Sequence, residues 1–196
     1  AESPQDEARF VGLTIRELVT KDKRRYGDFA ILYRVNAQSR AFEETLVSLG
    51  IPYKIIGGLR FFERKEIKDI VAYLRVIANP DDNFSLRRII DVPPRGIGPV
   101  TIGKGDALAL EEEMSLYQAL RRLVEKQALA SAPLKSLQKF LEVIEQLREK
   151  ALSLSPSHLI REALDKTGYW KYIDNGTLEG ETRKENLEEF ITFARE

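Results

Sequence analysis

Three clusters in this sequence carry residue types that could hold a polyanion. The first is Tyr33-Arg34-Val35-Asn36-Ala37-Gln38-Ser39-Arg40, where a short apolar run ends and a helical pattern begins. Arg34, Asn36, Gln38, Ser39 and Arg40 would supply donors to phosphate and sugar, and helix N-terminal amides favour anions. The same residues have a plainer use. Asn36 would cap the helix while Arg34 and Arg40 pair with Glu43 and Glu44, and residue physics alone favours that use. The second cluster is Arg95-Gly96-Ile97-Gly98, set between two short helical patterns. Its glycines would let a phosphate approach the backbone, with Ile97 anchoring the turn in the core. Arg87, Arg88, Arg95, Thr101 and Lys104 would flank the anion. A turn that uses proline and glycine only for their conformations fits equally well.

The third cluster, Leu59-Arg60-Phe61-Phe62-Glu63-Arg64-Lys65, interleaves aromatics with bases, as a surface that stacks on a single strand would. Its plainer reading is Phe61 and Phe62 plugging a core with the charges solvated, and paired phenylalanines favour packing. Tyr169, Trp170 and Tyr172 in GYWKYI invite the same two readings, again with packing favoured. His158 falls in the first turn of a helix and reads as a surface residue. Glu111-Glu112-Glu113 reads as a solvated helix end.

Other chemistry is missing from the string. It has no G-x-x-x-x-G-K-[ST] loop, no G-x-S-x-G elbow and no pairing of Cys with His as nucleophile and base. There are no cysteines and one histidine, so disulfides, Cys-ligated metals and His-rich metal sites are excluded. Catalysis by these 196 residues alone is not expected. No apolar run approaches the roughly 18 residues of a membrane span. The polar, acidic start AESPQDEARF is not a signal peptide, and the lack of an initiator Met fits a piece cut from a longer protein.

The elements that must position these clusters follow from periodicity. Ser3 reads as an N-cap with Pro4 at the first helical position, and Ala8, Val11, Ile15 and Leu18 at helical spacing carry a helix over Pro4–Thr20. Phe29–Val35 reads as a strand buried on both faces, Phe42, Leu46 and Leu49 as a helix stripe closed by Gly50, and Tyr53–Ile56 as a second strand. Helix, strand, helix, strand predicts a short βαβ piece of an α/β lobe over about residues 1–58. The rest, 59–196, predicts only helices: about Glu63–Ala78, Phe84–Asp91, Pro99–Glu113, Ser115–Lys126, Ala132–Lys150, Ser155–Lys166 and Gly180–Arg195. The expected fold class is thus mixed and mainly α, with a helix-hairpin-helix-like GIG turn and a domain boundary somewhere within 58–80.

Charge adds little. Lys+Arg and Asp+Glu both number 31. From Lys54 to Lys104 there are 10 basic and 6 acidic residues, and from Leu137 onward 9 and 12, so the middle permits a polyanion site without requiring one.

Three long strings go further. DFAILYRVNAQSRAFEETL, GIPYKIIGGLRFFERKEIKDIVAYLRVIANPDDN and RIIDVPPRGIG, in this order, resemble the UvrD/Rep/PcrA group of superfamily 1 ATP-dependent DNA helicases. The resemblance is close over Tyr26–Thr101 and looser beyond, where LIREALDKTGYW and ENLEEFITFA are also similar to the family. It implies the start of the second RecA-like motor domain (2A) followed by most of its helical insertion (2B). It implies single-stranded DNA contacts at Arg34 and Asn36, with Ser39 and Arg40 beside them. It implies a hinge at Gly57, Gly58, Arg60, Phe61 and Phe62, and a duplex-gripping hairpin at Arg95, Gly96, Ile97, Gly98 and Thr101. The parent would use ATP and Mg2+ to translocate on single-stranded DNA and unwind duplex. This chain would hold neither cofactor, and no metal. Its partners would be single-stranded and forked DNA, the rest of the motor, and accessory repair or replication proteins, in the bacterial cytoplasm at the nucleoid, with no membrane. Two other functions stay open: a non-catalytic protein-interaction or regulatory helical module, and a stand-alone DNA-binding domain related by descent. One departure is local. TIGKGDALAL carries Gly103 and Gly105 where relatives favour an apolar residue, and each glycine costs about 1 kcal/mol inside a helix. That predicts a frayed or late-starting helix after the hairpin, with the Thr101 contact in question.

Overall fold

The structure is a computed structural model that describes residues 3–34, 38–55 and 61–195. The chain forms two compact units, Ala1–Arg64 and Lys65–Glu196.

The first unit is built on helices α1 (Pro4–Lys21) and α2 (Ser39–Ser48), with 3-10 turns at Tyr26–Asp28 and Phe61–Glu63. The Ser3 hydroxyl accepts the Asp6 N–H and caps α1 as expected. Ala8, Gly12 and Ile15 form its buried stripe, and α1 packs on α2. A Cβ on Gly12 would sit 2.8 Å from Leu49 Cδ1, so that glycine sets the close approach of the two helices.

The expected βαβ piece is not there. Among the described residues no strand forms. Phe29–Tyr33 and Ile51–Ile55 run without regular structure along a recess of about 900 Å3, which Ile15, Phe42 and Leu46 also line. The backbone bonds at the edges of these runs are local: the Phe29 N–H goes to Tyr26 O and the Ile51 N–H to Leu46 O. An apolar run reports burial, whereas a strand exists only when a neighbour takes its amides and carbonyls. Here neither run supplies the other's ladder. The mainly helical part of the expectation stands, and the α/β part does not.

The second unit is all helix: α3 (Lys65–Ala78), α4 (Asn83–Ile89), α5 (Pro99–Glu111), α6 (Leu116–Glu125), α7 (Ser131–Ala151), α8 (Pro156–Lys166), α9 (Tyr169–Ile173) and α10 (Leu178–Phe193). The spine is α3. Its Ile67, Ile70, Tyr73, Val76 and Ile77 are buried, and it packs on α4, α7, α8 and α10. Side chains fix the helix starts: Asp82 accepts the Ser85 N–H, Ser115 the Gln118 N–H and Thr177 the Gly180 N–H. The five-residue α9, which periodicity missed, starts behind Gly168 at φ +74° and seats Tyr169 and Ile173 in the core.

The helix after the hairpin neither frays nor starts late, since α5 runs unbroken through both glycines. Gly105 explains one of them. A Cβ there would lie 2.9 Å from Leu116 Cδ1 and Leu120 Cδ2, so the glycine lets α5 and α6 touch. Gly103 is exposed, with nothing within 4 Å of such an atom. Gly103→Ala should therefore stabilise the unit by up to about 1 kcal/mol through helix propensity. Gly105→Ala should gain less than Gly103→Ala or lose stability, because the Leu116 and Leu120 side chains must shift to admit its Cβ. Thermal unfolding of the two variants checks this, and equal shifts of the same sign would count against the account.

Candidate nucleic-acid interface

The hairpin is built by the exit from α4 and the entry to α5. After Ile89 the chain turns through Ile90–Gly98, with a cis peptide at Val92–Pro93. One carboxylate organises the turn. Asp91 Oδ1 accepts the Arg95 N–H at 2.6 Å and the Ile97 N–H at 3.2 Å. Ile97 is fully buried and anchors the loop. Gly96, at φ +76°, is exposed and sits in backbone space that favours glycine. Among the described residues no acceptor within the chain takes the Gly96 or Gly98 N–H. Next to these amides α5 opens, with Pro99 in its first turn and Val100 exposed. The turn thus presents free backbone donors beside a helix N-terminus, an arrangement that suits an anionic oxygen.

Arg95 does not point outward. Its Nη1 donates to Pro93 O at 2.8 Å and lies 3.3 Å from Ile89 O. Its Nη2 donates to the Tyr73 hydroxyl at 2.7 Å and to Thr167 O at 3.2 Å, and the guanidinium lies 5.4 Å from the Phe140 ring centre. Tyr73 in turn donates to Val92 O at 2.5 Å. Burial pushes the Tyr73 phenol pKa up, with Arg95 opposing, so the phenol stays a donor. The remaining expected flank is similarly occupied. Arg87 pairs with Asp106, Arg88 meets Asp69 at 2.7 Å, Lys104 Nζ reaches Ala128 O at 3.5 Å, and Thr101 is buried. Behind the hairpin, buried Asp69 also accepts the Tyr169 hydroxyl at 2.7 Å, and buried Glu66 accepts from Asn186.

In the first unit the cluster around α2 is divided. Arg34 is exposed, and its N–H donates to Gln38 Oε1 at 3.1 Å. Asn36 lies outside the described residues, and Gln38 holds the N-cap position of α2. Ser39 is 2% exposed, donating to Glu43 at 2.8 Å and accepting from Arg64 Nη2 at 2.9 Å. Arg40 is 1% exposed and pairs with Glu44 at 2.9 Å, as the capping reading expected. Of the hinge residues, Gly57, Gly58 and Arg60 lie outside the described residues. Phe61 is buried, its N–H donates to Glu43 and Arg64 lies over its ring, whereas Phe62 is half exposed and meets Phe61 edge-on at 5.2 Å.

Two residues that shape the hairpin escaped the sequence reading, Asp91 and Tyr73. Asp91 had a signal, an Asp ahead of a Pro- and Gly-rich turn, which is the setting in which a carboxylate binds nearby amides. Tyr73 had none, because it stands in an ordinary apolar stripe. The Glu111–Glu113 run is the solvated end of α5, with Glu111 and Glu113 exposed and Glu112 ion-paired with Arg122 and Lys126. Among the described residues no group of three or more His, Cys, Asp or Glu could hold a metal ion, and no helix is long and apolar enough to cross a membrane.

Comparison with known proteins bears on the whole chain. Residues 1–196 match the UvrD-like helicase C-terminal domain. The chain is 40% identical to the ATP-dependent DNA helicase PcrA of Bacillus subtilis (strain 168) over 190 residues, which is 96% of this chain and 26% of that protein. It is 40% identical to the PcrA of Staphylococcus epidermidis (strain RP62A) and 39% identical to that of Staphylococcus aureus (strain NCTC 8325), each over 199 residues, covering all of this chain and 27% of those proteins. The chain thus spans about a quarter of the length of these relatives. It belongs to the family of UvrD-like helicase C-terminal domains.

Proposed function

We propose that this chain is the DNA-handling part of an ATP-dependent DNA helicase. In this reading residues 1–64 open the second motor domain (2A), and 65–196 form most of its helical insertion (2B). The Gly96–Gly98 hairpin takes the backbone of duplex DNA, and exposed Arg34 is, among the described residues, the side chain of the first cluster best placed to meet a single strand. ATP and Mg2+ belong to the rest of the parent, and so do translocation and unwinding. Family membership over the full length supports the helicase assignment. The observation that carries the DNA contact is the pair of unclaimed Gly96 and Gly98 amides on an exposed turn at the start of α5. Such contacts hold phosphate without reading bases, so binding should tolerate any sequence.

The test is fluorescence anisotropy of a labelled forked DNA with this chain at low ionic strength, where phosphate contacts are strongest. Binding is expected, and Gly98→Asp, which sets a negative charge on the turn, should weaken it at least about tenfold. Failure of the wild-type chain to bind would overturn the proposal. So would ATP hydrolysis by this chain alone, since the assignment leaves the nucleotide site elsewhere.

A further inference from the structure

Asp91 poses a problem for an anion-binding turn. It puts a carboxylate against the loop that would meet phosphate, where simple electrostatics makes it a cost. Its hydrogen bonds suggest why it is there. A single oxygen takes the N–H groups of Arg95 and Ile97, the alternate residues of the turn. The intervening Gly96 and the following Gly98 are left unclaimed among the described residues. Arg95 completes the frame from the other side. Its planar fork reaches the α4 exit, the Tyr73 hydroxyl on α3 and the carbonyl of Thr167 at the end of α8, and it rests against Phe140 of α7. A lysine could not make all of these bonds, because its three donors sit on one nitrogen and cannot span the separated acceptors that the fork reaches.

We infer that Asp91 and Arg95 are positioning residues of the hairpin: the carboxylate assigns which amides face the anion, and the guanidinium fixes the turn to the helical core without touching the anion itself. This rests on the DNA reading for its ligand, but the positioning can be measured without DNA. The sign of the effect sets it apart from a charge effect. Removing a nearby negative charge from an anion site should tighten binding, whereas removing an organiser should weaken it.

The experiment uses the whole chain and a labelled forked DNA, with amide hydrogen exchange read in parallel. Asp91→Ala should weaken binding about tenfold and expose the Arg95 and Ile97 amides to exchange. Asp91→Asn, which keeps the accepting oxygen, should bind within about twofold of wild type and keep both amides protected. Arg95→Lys should weaken binding as much as Arg95→Ala, although it keeps the charge. The inference is overturned if Asp91→Ala binds as tightly as wild type or tighter, if Arg95→Lys binds normally, or if the two amides stay protected in Asp91→Ala. Should Asp91→Ala fail to give a wild-type circular dichroism spectrum, Asp91→Asn decides: unchanged affinity supports the organiser, and affinity raised threefold or more refutes it. If the wild-type chain ignores DNA, the DNA reading falls, and exchange at Arg95 and Ile97 in the Asp91 pair still decides the positioning.

Discussion

Asp69→Ala is expected to destabilise the Lys65–Glu196 unit by about 3 kcal/mol, the low end of the range for breaking a buried ion pair. Asp69 is buried on α3, where it meets Arg88 of α4 and the hydroxyl of Tyr169 on α9, each at 2.7 Å. Alanine leaves the Tyr169 O–H without its acceptor and Arg88 without its counter-charge. Arg88 is about a third exposed, so water recovers part of its loss and keeps the figure at the low end. Asp69→Asn, which retains an acceptor for Tyr169, should fall between wild type and alanine. The chain has one tryptophan, Trp170, and it lies in this unit, so its fluorescence in a denaturant titration reports the unit directly. A loss below about 1 kcal/mol for Asp69→Ala, the worth of an ordinary surface pair, would show that the interaction is not structural.

Alkali should unfold the second unit as its buried phenols are forced to ionise. Burial pushes up the pKa of Tyr117, and its hydrogen bond to the Glu145 carboxylate adds to this. Burial does the same for Tyr169, with the Asp69 charge and hydrogen bond adding. In both cases the folded value lies above the unfolded one near 10. Above about pH 10 the unfolded chain therefore sheds protons that the folded chain keeps, so this stability is complete below that pH and is lost as pH rises. Each phenol that stays protonated in the folded chain adds a loss of about 1.4 kcal/mol per pH unit above that point. Tyr73 shifts in the same direction. Phenolate absorbance from these residues should rise together with loss of helical circular dichroism, and Tyr117→Phe should flatten the dependence. Ionisation of all three with the helices intact would refute the assignment.

The helices were largely legible in the sequence because their signals are local. Ser3 caps as spacing suggests, Gly50 at φ +67° closes α2, and Ile97 anchors its turn. The failures share one cause, dependence on distant partners. Phe29–Tyr33 has the composition of a buried strand, but pairing is a property of two segments and no ladder forms among the described residues. Arg95 resembles any loop arginine, yet its orientation is decided by Thr167, 72 residues away. Gly105 reads as a helix defect until Leu116 and Leu120 are placed against it. Arg40 is the opposite case: it pairs with Glu44 four residues on, the local use that residue physics favours, while Ser39 bonds Glu43 and Arg64 within its own unit.

The arginines around the hairpin carry one more consequence. Arg87 and Arg88 each have a carboxylate about 3 Å away. Opposite charges held that close make dipoles, whose fields die away faster than those of bare charges and are screened further within a Debye length of about 8–10 Å. These residues therefore do little to draw a polyanion in from afar. Encounter at this turn would proceed at the unassisted pace of roughly 10⁵–10⁶ M⁻¹s⁻¹, and selectivity would fall to the fit of the backbone after contact.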